Sequence, residues 1–154
     1  MQAEDLCVCL AASSGGHLTQ LLKVTGDWES YDTFVVTTSD VVREAIRRFG
    51  RAYTVGECNR DHPLRVIAVL ARCLWILVRE RPDVVVSTGA APGCLICLLG
   101  ILFGAKVVWL DSIANVGRLS LSGRLVRPIA SKFLVQWPEL VERYPGVEYE
   151  GTVL

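Results

Sequence analysis

A histidine that follows two glycines is the feature of this sequence best suited to chemistry. Residues 11–17 read Ala-Ala-Ser-Ser-Gly-Gly-His, between an apolar run of strand type and a helical pattern. Glycines let the backbone turn sharply and a ligand come close, and the free N–H groups of a helix N-terminus favour an anion such as phosphate. His17 adds a group that can move a proton near neutral pH. The segment predicts a site for a phosphorylated or glycosidic substrate, and a tight structural turn is the alternative.

Two further segments link the end of an apolar run to a helical pattern. Residues 87–93 read Ser-Thr-Gly-Ala-Ala-Pro-Gly and leave room for a sugar or a lipid phosphate, although small residues also serve close packing. Asp111 ends another apolar run, and Asn115 follows it closely. The Asp111 carboxylate could orient His17, accept a proton or cap a turn.

Arginines follow Asp111 within a stretch rich in serine and leucine, over residues 118–127. They could form a basic rim that binds a diphosphate, or they could be solvated surface residues. These arginines are Arg118, Arg124 and Arg127.

The order of strand and helix patterns predicts a single α/β domain over residues 1–154, with a doubly wound, Rossmann-like parallel sheet. The strand candidates are short and apolar on both faces, as in a parallel sheet that helices cover. Because ligands bind beyond the carboxyl ends of such strands, the segments above should converge on one cleft. The predicted strands are Leu6–Ala11, Thr33–Thr38, Ala52–Val55, Val84–Ser87, Lys106–Leu110, Phe133–Gln136 and Val147–Tyr149. The predicted helices are Leu18–Val24, Asp40–Phe49, Leu64–Arg79, Cys94–Phe103, Ser122–Ser131 and Pro138–Arg143.

The predicted helix Leu64–Arg79 has more apolar surface than contact with one sheet requires. Its arginines recur every seven residues, which places them in one narrow stripe. Either the helix lies between two layers, or its surplus apolar face meets lipid while the arginines reach phosphate headgroups. A tryptophan beside basic residues favours the membrane interface. The residues predicted at this interface are Arg65, Arg72, Trp75 and Arg79.

Composition argues against several classes of function. Sixteen basic and sixteen acidic residues cancel, so the chain has no long-range attraction for nucleic acid. Hydrophobic residues make up 51% of the chain and the mean hydropathy is +0.38, which indicates that apolar surface meets a partner or a membrane. The uncharged stretch over residues 84–105 is interrupted by Pro92 and glycines, so a strand, a turn and a helix explain it better than a transmembrane span. The N-terminus does not resemble a secretory leader, which favours a cytosolic protein.

Two other types of site are disfavoured by spacing. Most of the six cysteines lie in apolar runs and are expected to be reduced and buried. Cys94 and Cys97 have C-x-x-C spacing, but no second pair of ligands accompanies them, so no metal site is predicted. Gly15 and Gly16 do not fit the Gly-x-Gly-x-x-Gly pattern, which argues against a dinucleotide site.

Taken together, these segments resemble a known family. Residues 109–116, Trp-Leu-Asp-Ser-Ile-Ala-Asn-Val, lead into the serine-rich residues 119–124 and then into residues 135–140, Val-Gln-Trp-Pro-Glu-Leu. This ordered set is similar to the acceptor-side, membrane-associating subunit of split GT-B glycosyltransferases. Members include bacterial exopolysaccharide and capsule proteins and the eukaryotic subunit of the enzyme that adds the second N-acetylglucosamine to dolichol-linked oligosaccharide. The similarity runs from Ser13 to Leu154.

More distantly, the same order resembles the N-terminal half of the transferase that makes the lipid-linked peptidoglycan precursor. The resemblance implies an incomplete enzyme, inactive alone, that binds a polyprenyl-diphosphate-linked acceptor at the cytoplasmic face of the membrane. A separate subunit would bind the nucleotide-sugar donor, so neither a cofactor nor a metal is expected on this chain. The alternatives are a noncatalytic membrane scaffold for a self-sufficient transferase and an unrelated nucleotide-binding module.

The resemblance also implies roles for individual positions. His17 is the candidate base for the acceptor hydroxyl, and Asp111 stands where the family often has glutamate. Eukaryotic members have an N-terminal transmembrane helix that this chain lacks, so peripheral membrane contact is expected to depend on Leu64–Arg79, aided by Cys94–Phe103, or on the lipid acceptor itself. The residues predicted to bind the acceptor and its phosphates are Ser14, Gly15, Gly16, Thr88, Gly89, Asn115, Arg118 and Arg124.

Overall fold

The computed structural model describes residues 6–26, 28, 31–57 and 63–153. Its strands are β1 (Cys7–Ala12), β2 (Asp32–Thr37), β3 (Arg51–Thr54), β4 (Val84–Gly89), β5 (Lys106–Leu110), β6 (Lys132–Val135) and β7 (Glu148–Tyr149). Its α-helices are α1 (Gly16–Val24), α2 (Arg43–Ile46), α3 (Pro63–Glu80), α4 (Ala90–Leu102), α5 (Leu121–Val126) and α6 (Glu139–Arg143). Short 3₁₀ helices cover Asp40–Val42, Arg47–Phe49 and Arg127–Ile129.

The seven strands form one sheet in the order β3-β2-β1-β4-β5-β6-β7, and every neighbouring pair is parallel. Strands β2 and β3 follow β1 on one side of the sheet, and β4 then pairs with the other side of β1. This reversal opens a crevice at the carboxyl ends of β1 and β4, where ligands bind in doubly wound folds. The predicted doubly wound, Rossmann-like α/β fold is therefore confirmed.

Helices cover both faces of the sheet because alternate strand residues point to opposite sides. Cys9 and Phe34 pack with buried residues of α3 and α4 on one face. Leu10 and Val35 pack with buried residues of α1 and α2 on the other. This arrangement explains why the strands read as apolar runs without polar alternation.

Most predicted elements lie within a few residues of their observed positions, and β5 matches its prediction. Two predictions need correction. The helix expected over Asp40–Phe49 is a single α-turn, Arg43–Ile46, between two 3₁₀ segments. The loop expected over residues 88–93 does not exist, because β4 continues to Gly89 and α4 begins at the next residue. Gly89 makes this sharp turn with φ of 125°, a backbone conformation that favours glycine.

Helix α3 is not enclosed between two layers of the described structure. One face packs on the sheet through buried residues that include Cys73 and Leu77. The opposite face is exposed at Leu64 (81%), Ile67 (61%) and Trp75 (56%). Of the two alternatives open from the sequence, a helix lying between two layers is therefore not observed within the described ranges, and the surplus apolar face remains open. None of the described helices combines the length and the apolarity that crossing a membrane requires.

The described cysteines are reduced thiols, and Cys9, Cys73, Cys94 and Cys97 are buried, as expected. Burial raises the pKa of the Cys97 thiol far above its ordinary value. Burial, followed by the Asp32 carboxylate, raises the pKa of Cys7 to about 11. These thiols stay protonated at neutral pH and behave as small apolar groups. Cys58 lies outside the described residues.

Candidate functional site

His17 lies in the first turn of α1, at the crevice between β1 and β4. Gly15 precedes the helix with φ of 106°, and no side chain caps the helix N-terminus. A Cβ at either Gly15 or Gly16 would meet no atom within 4 Å. Open space therefore lies beside the α-carbons of both glycines, so a ligand can come close to the backbone at this helix N-terminus, a place that favours anions.

Two reciprocal hydrogen bonds hold His17 against the end of β4. The Nδ1 atom lies 2.8 Å from the Thr88 carbonyl oxygen, and the Thr88 hydroxyl donates to the His17 carbonyl oxygen at 2.6 Å. Because a carbonyl oxygen only accepts, the hydrogen-bond pattern assigns the proton to Nδ1. The neutral imidazole then keeps its basic lone pair on Nε2, where it can accept a proton from a substrate.

Gly89 provides the space in which the imidazole lies. A Cβ at this position would stand 2.9 Å from His17 Cε1 and 3.0 Å from His17 Nδ1. Any larger residue would push the ring away or distort the backbone. The small-residue segment over residues 87–93 thus contributes to the site by leaving space for the His17 ring.

Ser14 joins the end of β1 to the end of β2. Its backbone N–H donates to Thr38 Oγ1 at 3.0 Å, and the two hydroxyls lie 2.9 Å apart. Thr38 is buried, and sequence reasoning did not single it out. Its position at the carboxyl end of the strand beside β1 was the signal that could have identified it.

Asp111 braces its own loop. The residue is only 1% exposed. Its carboxylate accepts hydrogen bonds from the Ser120 N–H at 2.9 Å and from the Ser120 hydroxyl at 2.6 Å. Trp109 Nε1 donates to it at 3.3 Å. The Ser120 hydroxyl in turn accepts from the Gly123 N–H at the start of α5. Of the roles open from the sequence, this geometry matches the turn cap, and its hydrogen bonds connect it to Ser120 and Trp109 rather than to His17.

The residues after Asp111 surround a shallow cavity of about 510 Å³. Asn115 and Arg118 line it, and Arg143 closes one side by donating to the Gly117 carbonyl oxygen. Sequence reasoning missed Arg143, because nothing local to α6 indicates this contact. Arg124 is exposed on α5 and is not among the lining residues.

Gln20 connects the His17 helix to this second loop. Its Oε1 atom accepts from the Ile113 N–H at 3.5 Å and from Gln136 Nε2 at 2.7 Å. Sequence reasoning missed both glutamines. The structure thus brings His17, Thr88 and Gly89 together directly and connects the loop of Asn115 and Arg118 to them through α1.

The predicted interface residues of α3 differ in their contacts. Arg72 donates to the Val55 carbonyl oxygen at 3.2 Å. Arg79 lies over the Trp75 ring at 5.5 Å from its centroid. Arg65 is exposed near the start of the helix. Arg72 and Arg79 thus have partners among the described residues, while the apolar face beside them is open.

Comparison with known proteins identifies the family. The family described as oligosaccharide biosynthesis protein Alg14 like matches residues 21–153. A mouse protein named UDP-N-acetylglucosamine transferase subunit ALG14 is 30% identical over 98% of this chain and 84% of the relative. A Yarrowia lipolytica protein of the same name is 27% identical over 92% of this chain and 78% of the relative.

Solved structures show the same fold at low sequence identity. MurG of Acinetobacter baumannii matches 96% of this chain with a TM-score of 0.76 and 15% identity, over 45% of its own length. UDP-GlcNAc 2-epimerase of Neisseria meningitidis matches 95% of this chain with a TM-score of 0.68 and 12% identity, over 46% of its own length. The chain thus spans less than half the length of these two proteins. It belongs to the Alg14-like family of oligosaccharide biosynthesis proteins and has the fold of the N-terminal half of a GT-B glycosyltransferase, as the sequence predicted.

Proposed function

We propose that this chain is one subunit of a two-subunit, UDP-sugar-dependent glycosyltransferase in polysaccharide or lipid-linked oligosaccharide biosynthesis. It binds a polyprenyl-diphosphate-linked acceptor, and a separate subunit with the fold of the other GT-B half binds the donor. The name of the relatives, UDP-N-acetylglucosamine transferase subunit, supports this division. So does the match to less than half of MurG. The observation on which the proposal depends most is the orientation of His17 at the switch point of the sheet, where the bond from Nδ1 to the Thr88 carbonyl oxygen leaves Nε2 as the basic nitrogen.

The first turn of α1 is the proposed binding site for the acceptor diphosphate. Gly15 and Gly16 let an anion approach the backbone N–H groups, and the positive end of the helix dipole stabilises its charge. Arg118 in the neighbouring loop adds a positive charge beside Asn115. Ser14 and Thr38 keep the loop after β1 fixed against β2. Asp111 is a positioning residue in this scheme, since it fixes the loop that leads to Arg118.

His17 is the proposed general base. As the acceptor hydroxyl oxygen attacks the anomeric carbon of the donor sugar, Nε2 takes the hydroxyl proton. The bond between that carbon and the nucleotide diphosphate breaks, and the diphosphate leaves with the electron pair. The Thr88 carbonyl accepts the Nδ1 proton throughout, so it holds the ring in place and stabilises the imidazolium that forms. Attack from the side opposite the leaving group inverts the anomeric centre.

Helix α3 is the proposed membrane contact. Its exposed apolar residues include Leu64 and Ile67, and Trp75 is partly exposed although its ring also contacts Tyr53 of β3. The helix thus presents the open apolar surface that contact with a bilayer requires. Arg65 lies on the flank of this face, from which its side chain can reach lipid phosphate. Contact of this kind would hold the protein peripherally at the cytoplasmic face, close to its lipid-linked acceptor.

Replacing His17 tests the proposed chemistry. In the pair reconstituted with its donor-binding partner, His17→Ala should lower transfer about 100-fold or more, the range typical of losing a general base. The two subunits should still associate, as measured by gel filtration. Lys23→Ala, on the exposed last turn of the same helix, is the matched control and should transfer normally. Turnover of the His17 variant at the wild-type rate would remove this residue from the mechanism.

A noncatalytic membrane scaffold is the second candidate function. The observation that favours it is Asp111, whose carboxylate supports Ser120 and α5 instead of His17. The two functions differ in one assay, in which the partner alone receives a short-chain, soluble acceptor. Efficient transfer without this chain would establish the scaffold, whereas transfer that requires both chains supports the shared active site.

A further inference from the structure

Gln136, the first residue after β6, lies at the centre of a buried hydrogen-bond network. The residue is 1% exposed, and both ends of its side-chain amide are used. Its Nε2 atom donates to Gln20 Oε1 at 2.7 Å and to the Asp111 carbonyl oxygen at 3.0 Å. Its Oε1 atom accepts from the Val153 N–H at 2.9 Å. One side chain thus joins α1, the end of β5 and the segment after β7.

The same network fixes the peptide groups at Ile113. Gln20 Oε1 accepts from the Ile113 N–H at 3.5 Å, and Trp137 Nε1 donates to the Ile113 carbonyl oxygen at 2.7 Å. Gln20 lies one turn after His17 on α1, and Ile113 lies just before Asn115. The proposed phosphate-binding turn and the proposed arginine loop are therefore connected through Gln136 and its neighbours.

The chemistry of the amide makes this connection specific. Two oxygen acceptors face Nε2 and one N–H donor faces Oε1, so only a side chain with a donor and an acceptor in these places satisfies all three. A carboxylate of the same shape would direct an oxygen at the Gln20 and Asp111 oxygens. Because the site is buried, unpaired polar atoms there are costly.

We propose that Gln136 is a positioning residue for the acceptor. Through Gln20 and Asp111 it fixes the separation between the first turn of α1 and the loop of residues 111–118. The two parts of the diphosphate site are thereby held at a spacing that matches the ligand. This inference rests on the proposed function, and two measurements on the reconstituted pair test it.

The first measurement asks whether the connection exists, independently of activity. In Gln136→Glu at about pH 8, amide hydrogen exchange of residues 111–116 and 150–153 should speed up about 10-fold or more relative to wild type at the same pH. Burial raises the pKa of an introduced carboxyl group, so at about pH 6 a protonated acid can donate again and exchange should return toward the wild-type rate. Gln136→Leu should remain fast at both pH values. Exchange at the wild-type rate in both variants would overturn the proposal.

The second measurement asks what the connection does. Steady-state transfer to a short-chain polyprenyl-diphosphate sugar should show an acceptor KM about 10-fold higher for Gln136→Glu at about pH 8, with kcat changed much less. The KM should recover at the lower pH together with the exchange. Thr152→Val is the matched control, because it removes the hydroxyl bond to the Gln136 backbone carbonyl and leaves the amide network intact.

The outcomes separate this inference from the proposed function. A fall in kcat at unchanged KM, or an equal rise in KM for Thr152→Val, would overturn the positioning role while leaving the transferase intact. Absence of transfer to this acceptor by the wild-type pair would overturn the proposed function, and the positioning role with it, even if the exchange results showed the network to exist. Gln20→Ala, at a half-buried position, provides the same KM test if Gln136→Glu does not yield a folded pair.

Discussion

At Gly89, Gly93 and Gly123, a Cβ would lie closer than 3.0 Å to a polar side chain, namely that of His17, Ser87 or Asp111. Each glycine therefore leaves room for at least one side chain of the site or its support, and Gly123 leaves room for both Asp111 and Ser120. The histidine is further held by the Thr88 carbonyl, which also determines the nitrogen that can act as a base. At the scale of single residues, the site therefore requires positions without a Cβ as much as it requires the His17 imidazole.

Gly89→Ala should impair both stability and transfer. The new Cβ would collide with the imidazole, and a φ of 125° is unfavourable for an L-residue. We expect a loss of about 1–2 kcal/mol in the free energy of unfolding from the backbone alone, and a further loss from displacing the ring. Urea unfolding of the chain and transfer by the reconstituted pair measure the two effects.

Gly104→Ala is the control for this prediction. Gly104 also has a positive φ, 86°, but a Cβ there would meet nothing within 4 Å. Gly104→Ala should lower the free energy of unfolding through the unfavourable φ and leave transfer at the normal rate. If Gly89→Ala transferred at the wild-type rate, the close fit of Gly89 and His17 would have no role in catalysis.

At the scale of elements, α3 is fixed on one side and open on the other. The Glu80 side chain at its end is only 9% exposed and binds Arg51 Nε at 2.9 Å as well as the Tyr53 hydroxyl. Burial, and then this bond to Glu80, raise the pKa of Tyr53. Tyr53 packs edge-on against Trp75 with ring centroids 6.0 Å apart. These contacts hold the helix rigidly against the sheet, so its apolar face is presented as a fixed surface.

A charge placed on that surface should weaken membrane binding. Ile67→Glu buries less apolar area in the bilayer and introduces repulsion from anionic lipid, so binding of the reconstituted pair to anionic phospholipid vesicles should fall about 10-fold or more. Val41→Glu is the matched control, because Val41 is 90% exposed and lies outside α3. Co-sedimentation with vesicles measures both. Equal binding by Ile67→Glu and wild type would contradict a membrane role for α3.

The elements themselves could be predicted from the sequence because their signals are local. Apolar runs such as Lys106–Leu110 mark strands, and the pattern in Leu64–Arg79 marks a helix. The site was only partly predictable. Glycines before His17 indicate a helix N-terminus, but the bond that Gln136 donates to Gln20 joins residues 116 positions apart. No spacing rule reveals such a contact, since it depends on which strands become neighbours.

At the scale of the whole molecule, the sheet is built around the crevice between β1 and β4, where both glycine-containing junctions lie. Thiols lie in the core around β1, with Cys9 and Cys97 fully buried and Cys7 half-buried at the start of the strand, the end away from the crevice. Burial of these thiols therefore requires that they stay protonated in the folded chain. This links the stability of the entire sheet to pH on the alkaline side.

Stability should fall as pH rises from about 9 towards 11, the interval over which unfolded thiols ionise and folded ones do not. Cys7 has its pKa raised from 9.0 to about 11, and burial raises those of Cys9 and Cys97 further. The folded chain thus holds more protons than the unfolded chain in this interval, which makes the slope of unfolding free energy against pH negative. Urea titrations across the interval measure this slope. Cys7→Ser removes one ionising thiol and should make the slope shallower, whereas an unchanged slope would show that ionisation of this thiol is not linked to folding.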